Sequence, residues 1–90
     1  MQLTLRDLGV LGDVAEQPPL PLDVLAQRHF AGVRKTALNR LRLLVVAGYL
    51  KSERLQLLER PGPVVFYYPT AKATGALARL SLLGQRFADA

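Results

Sequence analysis

Prolines and glycines cut this chain into short pieces, and that punctuation constrains its fold more than any other feature. Gln17-Pro18-Pro19-Leu20-Pro21 ends one piece, Ala31-Gly32 a second and Gly48 a third, and Arg60-Pro61-Gly62-Pro63 interrupts a fourth. Proline has no amide donor and pushes its predecessor out of the helical region. Glycine takes the positive φ of a sharp turn. Helices this short are marginal alone, so each piece must pack on the others. Ninety residues allow one domain with a modest core.

The apolar residues of each piece recur with a readable period. Leu3 to Glu16 carries Leu3, Leu8, Leu11 and Ala15 at helical spacing, with Leu5 and Val14 nearby. Thr4 followed by Asp7 resembles a capping box. Gly9 and Gly12 weaken such a helix by about 1 kcal/mol each and leave room for another helix to approach. A second, short helix is expected from Pro21 or Leu22 to Phe30, burying Leu22, Leu25, His29 and the pair Ala26/Phe30. His29 reads as a packing or capping residue.

Val33 to Ala47 is expected to form the third helix, closed by a glycine cap at Gly48. Val33, Ala37, Leu41, Leu44 and Gly48 form its apolar stripe, flanked by Leu38 and Val45. Lys35, Thr36, Asn39 and Leu43 point the opposite way, and Arg34, Arg40 and Arg42 fall on the flanks. Beyond it, Leu50 to Glu59 alternates imperfectly with a period of two. Val64-Val65-Phe66-Tyr67-Tyr68 is entirely β-branched or aromatic, the strongest strand signal present. Two strands around Pro61-Gly62-Pro63 predict a hairpin with a long tip. A last helix is expected over Thr70 to Ala88, with Gly75 and Gly84 as points where it divides.

Charge is distributed unevenly. Residues 1–32 hold two basic and four acidic side chains; residues 33–60 hold seven basic and two acidic. The net charge is +5 and the isoelectric point about 10.3. A localised basic patch points to a polyanionic partner. A helix with cationic flanks and polar readers between them suits the major groove of DNA, where Arg and Lys contact guanine and phosphate and Asn contacts adenine. An ordinary core helix with a solvated basic face fits the same residues.

Other functions find little support. The chain has no cysteine and one histidine, so thiolate and histidine metal sites are not expected. No apolar run reaches the roughly 18–20 residues that span a bilayer, and the first residues lack signal-peptide order. A cytoplasmic location follows by default. Neither a nucleophile with a base at motif spacing nor a glycine-rich phosphate loop is present, so neither enzymatic activity nor a cofactor is expected.

Helix, helix, glycine turn, basic helix, Ala47-Gly48-Tyr49-Leu50, hairpin, then Tyr67-Tyr68-Pro69-Thr70 with Gly75 following: this order resembles a winged helix-turn-helix DNA-binding domain. Leu41, Leu44 and Gly48 are similar to the paired leucines and wing-opening glycine of bacterial MarR- and PadR-type regulators. The pattern also resembles the winged-helix region of plasmid replication-relaxation proteins. The resemblance covers roughly residues 3–80. It implies an α+β fold of three N-terminal helices, a two-stranded wing hairpin and a C-terminal helix. The single domain 1–90 would comprise residues 1–32 leading into the recognition helix 33–48, the wing 49–69 and the C-terminal helix 70–90.

The same resemblance implies sequence-specific binding of double-stranded DNA, as a small homodimeric transcriptional regulator or a plasmid or phage replication accessory protein. Arg34, Lys35, Thr36, Asn39, Arg40 and Arg42 would face the DNA, with Arg54 and Arg60 reaching from the wing. Glu53 and Glu59 would weaken the wing's attraction for phosphate. Leu77, Leu80, Leu83 and Phe87 would form a dimer surface or cover the first helix. Leu43 and Val46, apolar on the outward side, together with Leu55 and Leu57, leave open a role as a protein-protein adaptor.

Overall fold

The computed structural model describes residues 1–59 and 61–88, with side chains through Arg79. The chain is α+β: α1 (Leu5–Glu16), β1 (Leu20–Pro21), α2 (Leu22–His29), α3 (Arg34–Val46), β2 (Leu50–Gln56), β3 (Pro63–Pro69) and α4 (Ala71–Ala88). The strands form one antiparallel sheet in the order β1-β3-β2. No described helix is long and apolar enough to cross a membrane.

The third strand departs from the two-stranded hairpin expected of the sequence. Leu20 and Pro21 pair with Tyr67 and Phe66. Two residues are too few for alternation to show. Proline is tolerated here because β1 lies at the sheet edge, where a missing amide donor breaks no ladder. The hairpin itself pairs Leu50 with Pro69 through to Gln56 with Pro63. β2 therefore stops at Gln56, short of the Glu59 boundary expected. α4 continues through Gly75 and Gly84 without the division anticipated.

The core joins all four helices to the sheet. Val10, Leu11 and Val14 of α1 meet Leu25, Ala26 and Phe30, then Ala37, Leu41 and Leu44 of α3, with Leu50, Tyr67 and Ala73 closing the cluster. On α1 the buried stripe is Asp7, Val10, Leu11 and Val14, rotated from the Leu3-Leu8-Leu11-Ala15 stripe read from the sequence. Leu8 is half-buried and Ala15 exposed. The difference arises because an acidic residue occupies the first position of the buried stripe and conceals its periodicity. Gly9 lies against the His29 ring, where an added Cβ would sit 3.2 Å from Cε1; Gly12 meets nothing within 4 Å. Only one of the two glycines therefore permits a close approach. His29 is half-buried, with its Nε2 2.6 Å from Asp13 Oδ2 on α1.

Both ends of α3 are set by backbone geometry. Ala31 and Gly32 take positive φ before it, and Val33 is its N-cap residue with no side-chain cap. Val33 is consequently exposed rather than part of the stripe. At the other end Gly48 has φ +87. The Gly48 amide donates to Val45 O and the Tyr49 amide to Leu44 O, the paired bonds of a Schellman motif. The start of α4 completes this cap. Thr70 Oγ1 donates to Gly48 O and Lys72 Nζ to Ala47 O, both at 2.6 Å.

One polar contact ties α1 to α3 within this apolar setting. The Asp7 side chain accepts from the Thr4 amide at 2.8 Å while the Asp7 amide donates to Thr4 Oγ1 at 3.2 Å, completing the capping box. The same carboxylate accepts two bonds from Arg40, through Nε at 2.8 Å and through Nη2. Asp7 is 0% exposed and the Arg40 side chain 27%. Burial alone would raise the Asp7 pKa; the Arg40 and Thr4 hydrogen bonds outweigh it and hold the carboxyl below its ordinary value. Because the folded-state value is depressed, this stabilisation is present above about pH 4. It is lost as pH falls through the lower folded-state value.

Two sets of variants test this account by thermal or urea unfolding. Arg40→Met strands a buried carboxylate and is expected to cost about 3 kcal/mol or more. Asp7→Asn, which keeps the cap and lets Arg40 turn to water, is expected to cost less; equal losses would count against the asymmetry. Among the glycines, Gly48→Ala is expected to lose about 1–2 kcal/mol for its left-handed backbone, whereas Gly12→Ala is expected to gain up to about 1 kcal/mol.

Candidate nucleic-acid interface

A groove opens where α3 faces the β2–β3 hairpin. Arg34, Leu38 and Arg42 recur every four residues and so lie on one side of α3. Opposite them are the inward positions of the hairpin, where Ser52 pairs with Tyr67 and Arg54 with Val65. These residues, with Leu22 and Pro63, line a groove of about 320 Å³. Its origin lies in the alternation of β2. Of the inward positions Leu50, Ser52, Arg54 and Gln56, only Leu50 is buried. Beyond it the strand offers nothing apolar to seal against α3, so the hairpin stands away from the helix.

The floor of the groove is apolar and its rim cationic. Tyr67 is buried; burial raises its phenol pKa, and the positive charges of Arg42 and Arg34 pull against that shift. Arg34 Nη1 reaches Asp23 Oδ1 at 3.0 Å in an exposed pair. Arg42 and Arg54 are exposed, and no ion pair engages either among the described residues. Glu53 does not oppose them: it lies on the other face of the hairpin, beside Tyr68, whose phenol pKa it raises.

The outward side of α3 continues this surface. Lys35, Thr36 and Asn39 are all exposed. Past them the same side turns apolar at Leu43 and Val46, 52% and 86% exposed. Leu55 and Leu57 on the hairpin are exposed as well.

Arg40 is the correction to the expected DNA-facing set. Its guanidinium is held on the α1 side of the helix by Asp7, away from the groove. The sequence carried a signal for this contact only in the capping-box aspartate, whose second role is invisible without the fold. The convergence of Arg34, Arg42 and Arg54 is not among the sequence expectations: the four-residue spacing on α3 and the alternation of β2 put each set on one face, but only the fold brings the two faces together. Arg60 lies outside the described residues. Leu77 of the expected dimer surface is half-buried against the chain's own core, while the side chains of Leu80, Leu83 and Phe87 lie outside the description. No group of three or more His, Cys, Asp or Glu residues suited to a metal occurs among the described residues.

Comparison with protein-family models, with curated proteins and with solved structures finds no match.

Among the described residues Arg42 and Arg54 make no ion pair. Arg42→Ala and Arg54→Ala are each expected to leave unfolding free energy within about 0.5 kcal/mol of the parent, in contrast to Arg40→Met. A loss above about 1 kcal/mol for either would mark it as a structural residue.

Proposed function

We propose that this protein is a winged-helix binder of double-stranded DNA, with α3 as recognition helix and the β2–β3 hairpin as wing. The observation that carries the reading is the meeting of Arg34, Arg42 and Arg54 around one groove between helix and hairpin. Three guanidiniums above an apolar floor form a seat for backbone phosphates, which charge-assisted and bidentate bonds from arginine suit well. Lys35, Thr36 and Asn39 project from the adjoining side of α3, positioned for base edges. A module of this size reads few bases, so the natural form of activity is a small cytoplasmic regulator of transcription or replication that pairs half-sites as a homodimer. Four cations and no acidic residue on Arg34–Val46 accord with a polyanionic partner.

Fluorescence-anisotropy titration onto duplex DNA at several salt concentrations tests this. Binding is expected to weaken steeply with salt, with a log–log slope of roughly −0.9 per phosphate neutralised. Replacing Arg42 and Arg54 together by alanine is expected to reduce that slope by about two while leaving the fold intact. Absence of binding to any duplex at low salt would refute the proposal.

A further inference from the structure

The outward side of α3 carries two aliphatic residues that core packing does not explain. Leu43 is 52% and Val46 86% exposed, although the helix already buries Ala37, Leu41 and Leu44. Leu43 lies four residues after Asn39 and seven after Thr36, so the three share one side. Leu and Val offer a partner only apolar contact. In the major groove one base-edge group answers to that, the C5-methyl of thymine.

The charge around the pair favours DNA over a second copy of this chain. α3 carries Arg34, Lys35, Arg40 and Arg42 and no acidic residue. Two copies meeting through this side would bring Lys35 and Arg42 of each against cations of the other. An apolar spot set among cations instead complements methyl groups lying between rows of phosphate.

Resting on the DNA-binding reading above, we infer that Leu43, supported by Val46, is a specificity residue that contacts a thymine methyl. Four residues of helix advance about 6 Å, against about 3.4 Å per base pair. The thymine therefore lies roughly two base pairs from the base that Asn39 contacts. An adenine is the natural partner of Asn39, so the preferred site holds an A·T pair at each of these two positions.

The experiment first selects the preferred duplex for the full chain, then replaces each thymine in turn by deoxyuridine, which lacks only the methyl. At one position wild-type affinity is expected to fall about fourfold, the worth of one buried methyl. In Leu43→Ala the thymine–deoxyuridine difference at that position is expected to vanish, while in Asn39→Ala it persists. Leu43 is exposed, so the variant should fold, and circular dichroism checks this. Equal affinity of the wild type for thymine and deoxyuridine at every position overturns the inference and leaves DNA binding standing. A sensitivity that persists unchanged in Leu43→Ala also overturns it. Failure to bind any duplex at low salt removes the DNA reading itself, a distinguishable result.

Discussion

The carboxylate of Asp7 is the contact on which the arrangement of helices depends. It closes the N-terminus of α1 and, with its remaining acceptor capacity, holds the guanidinium of Arg40 on α3. Few geometries let one carboxylate do both. The apolar stripe of Ala37, Leu41 and Leu44 fixes which side of α3 faces the core, but apolar packing tolerates some rotation. A two-bond contact from Arg40 tolerates much less. With Arg40 on the α1 side, Arg34, Leu38 and Arg42 must face the hairpin. A buried ion pair is weak evidence of net stability, since desolvation offsets the attraction; its surest effect here is to fix the orientation of α3.

The hairpin is held to the body at its base and released beyond it. Leu50 and Tyr67 enter the core, and β1 adds an edge beside β3. The α3 carboxyl end is also fixed, because Thr70 and Lys72 bond the carbonyls of Gly48 and Ala47 just past it and Lys72 sits 4.5 Å over the Tyr49 ring. The strands therefore leave α3 at a defined angle. Past Leu50 the inward positions become Ser52 and Arg54, and the helix and hairpin separate. The groove is thus the outcome of a rigid base and a polar inner face.

Some of this was legible in the residues and some was not, for identifiable reasons. The bounds of α2 and α3, the glycine cap at Gly48 and the hairpin followed from local rules: breakers, capping geometry and periodicity. β1 was missed because two residues beside prolines carry no period. The buried face of α1 was read with the wrong rotation because Asp7, a charged residue, belongs to it. At the candidate site the winged-helix resemblance sets Arg40 among the DNA-facing residues, and neither resemblance nor helical angle reveals a partner thirty-three residues earlier in the chain. The clustering of Arg34, Arg42 and Arg54 depends on the angle between helix and hairpin, a tertiary quantity that neither segment encodes by itself.

The treatment of the arginines separates structure from function more sharply than their number does. Arg40 is neutralised by a fully buried acid and Arg34 by an exposed one. Arg42 and Arg54 are exposed on opposite walls of one groove, with no ion pair among the described residues. Both are exposed, so neither takes part in the packing that joins hairpin to body at Leu50 and Tyr67. A protein selected only for stability gains nothing from that placement. Under the proposed function, an anion entering the groove would gain two attractions without rearranging the core, because neither arginine belongs to it. That proposal thus leaves undisturbed the contact that orients α3, in which the buried Asp7 carboxylate is already matched by Arg40.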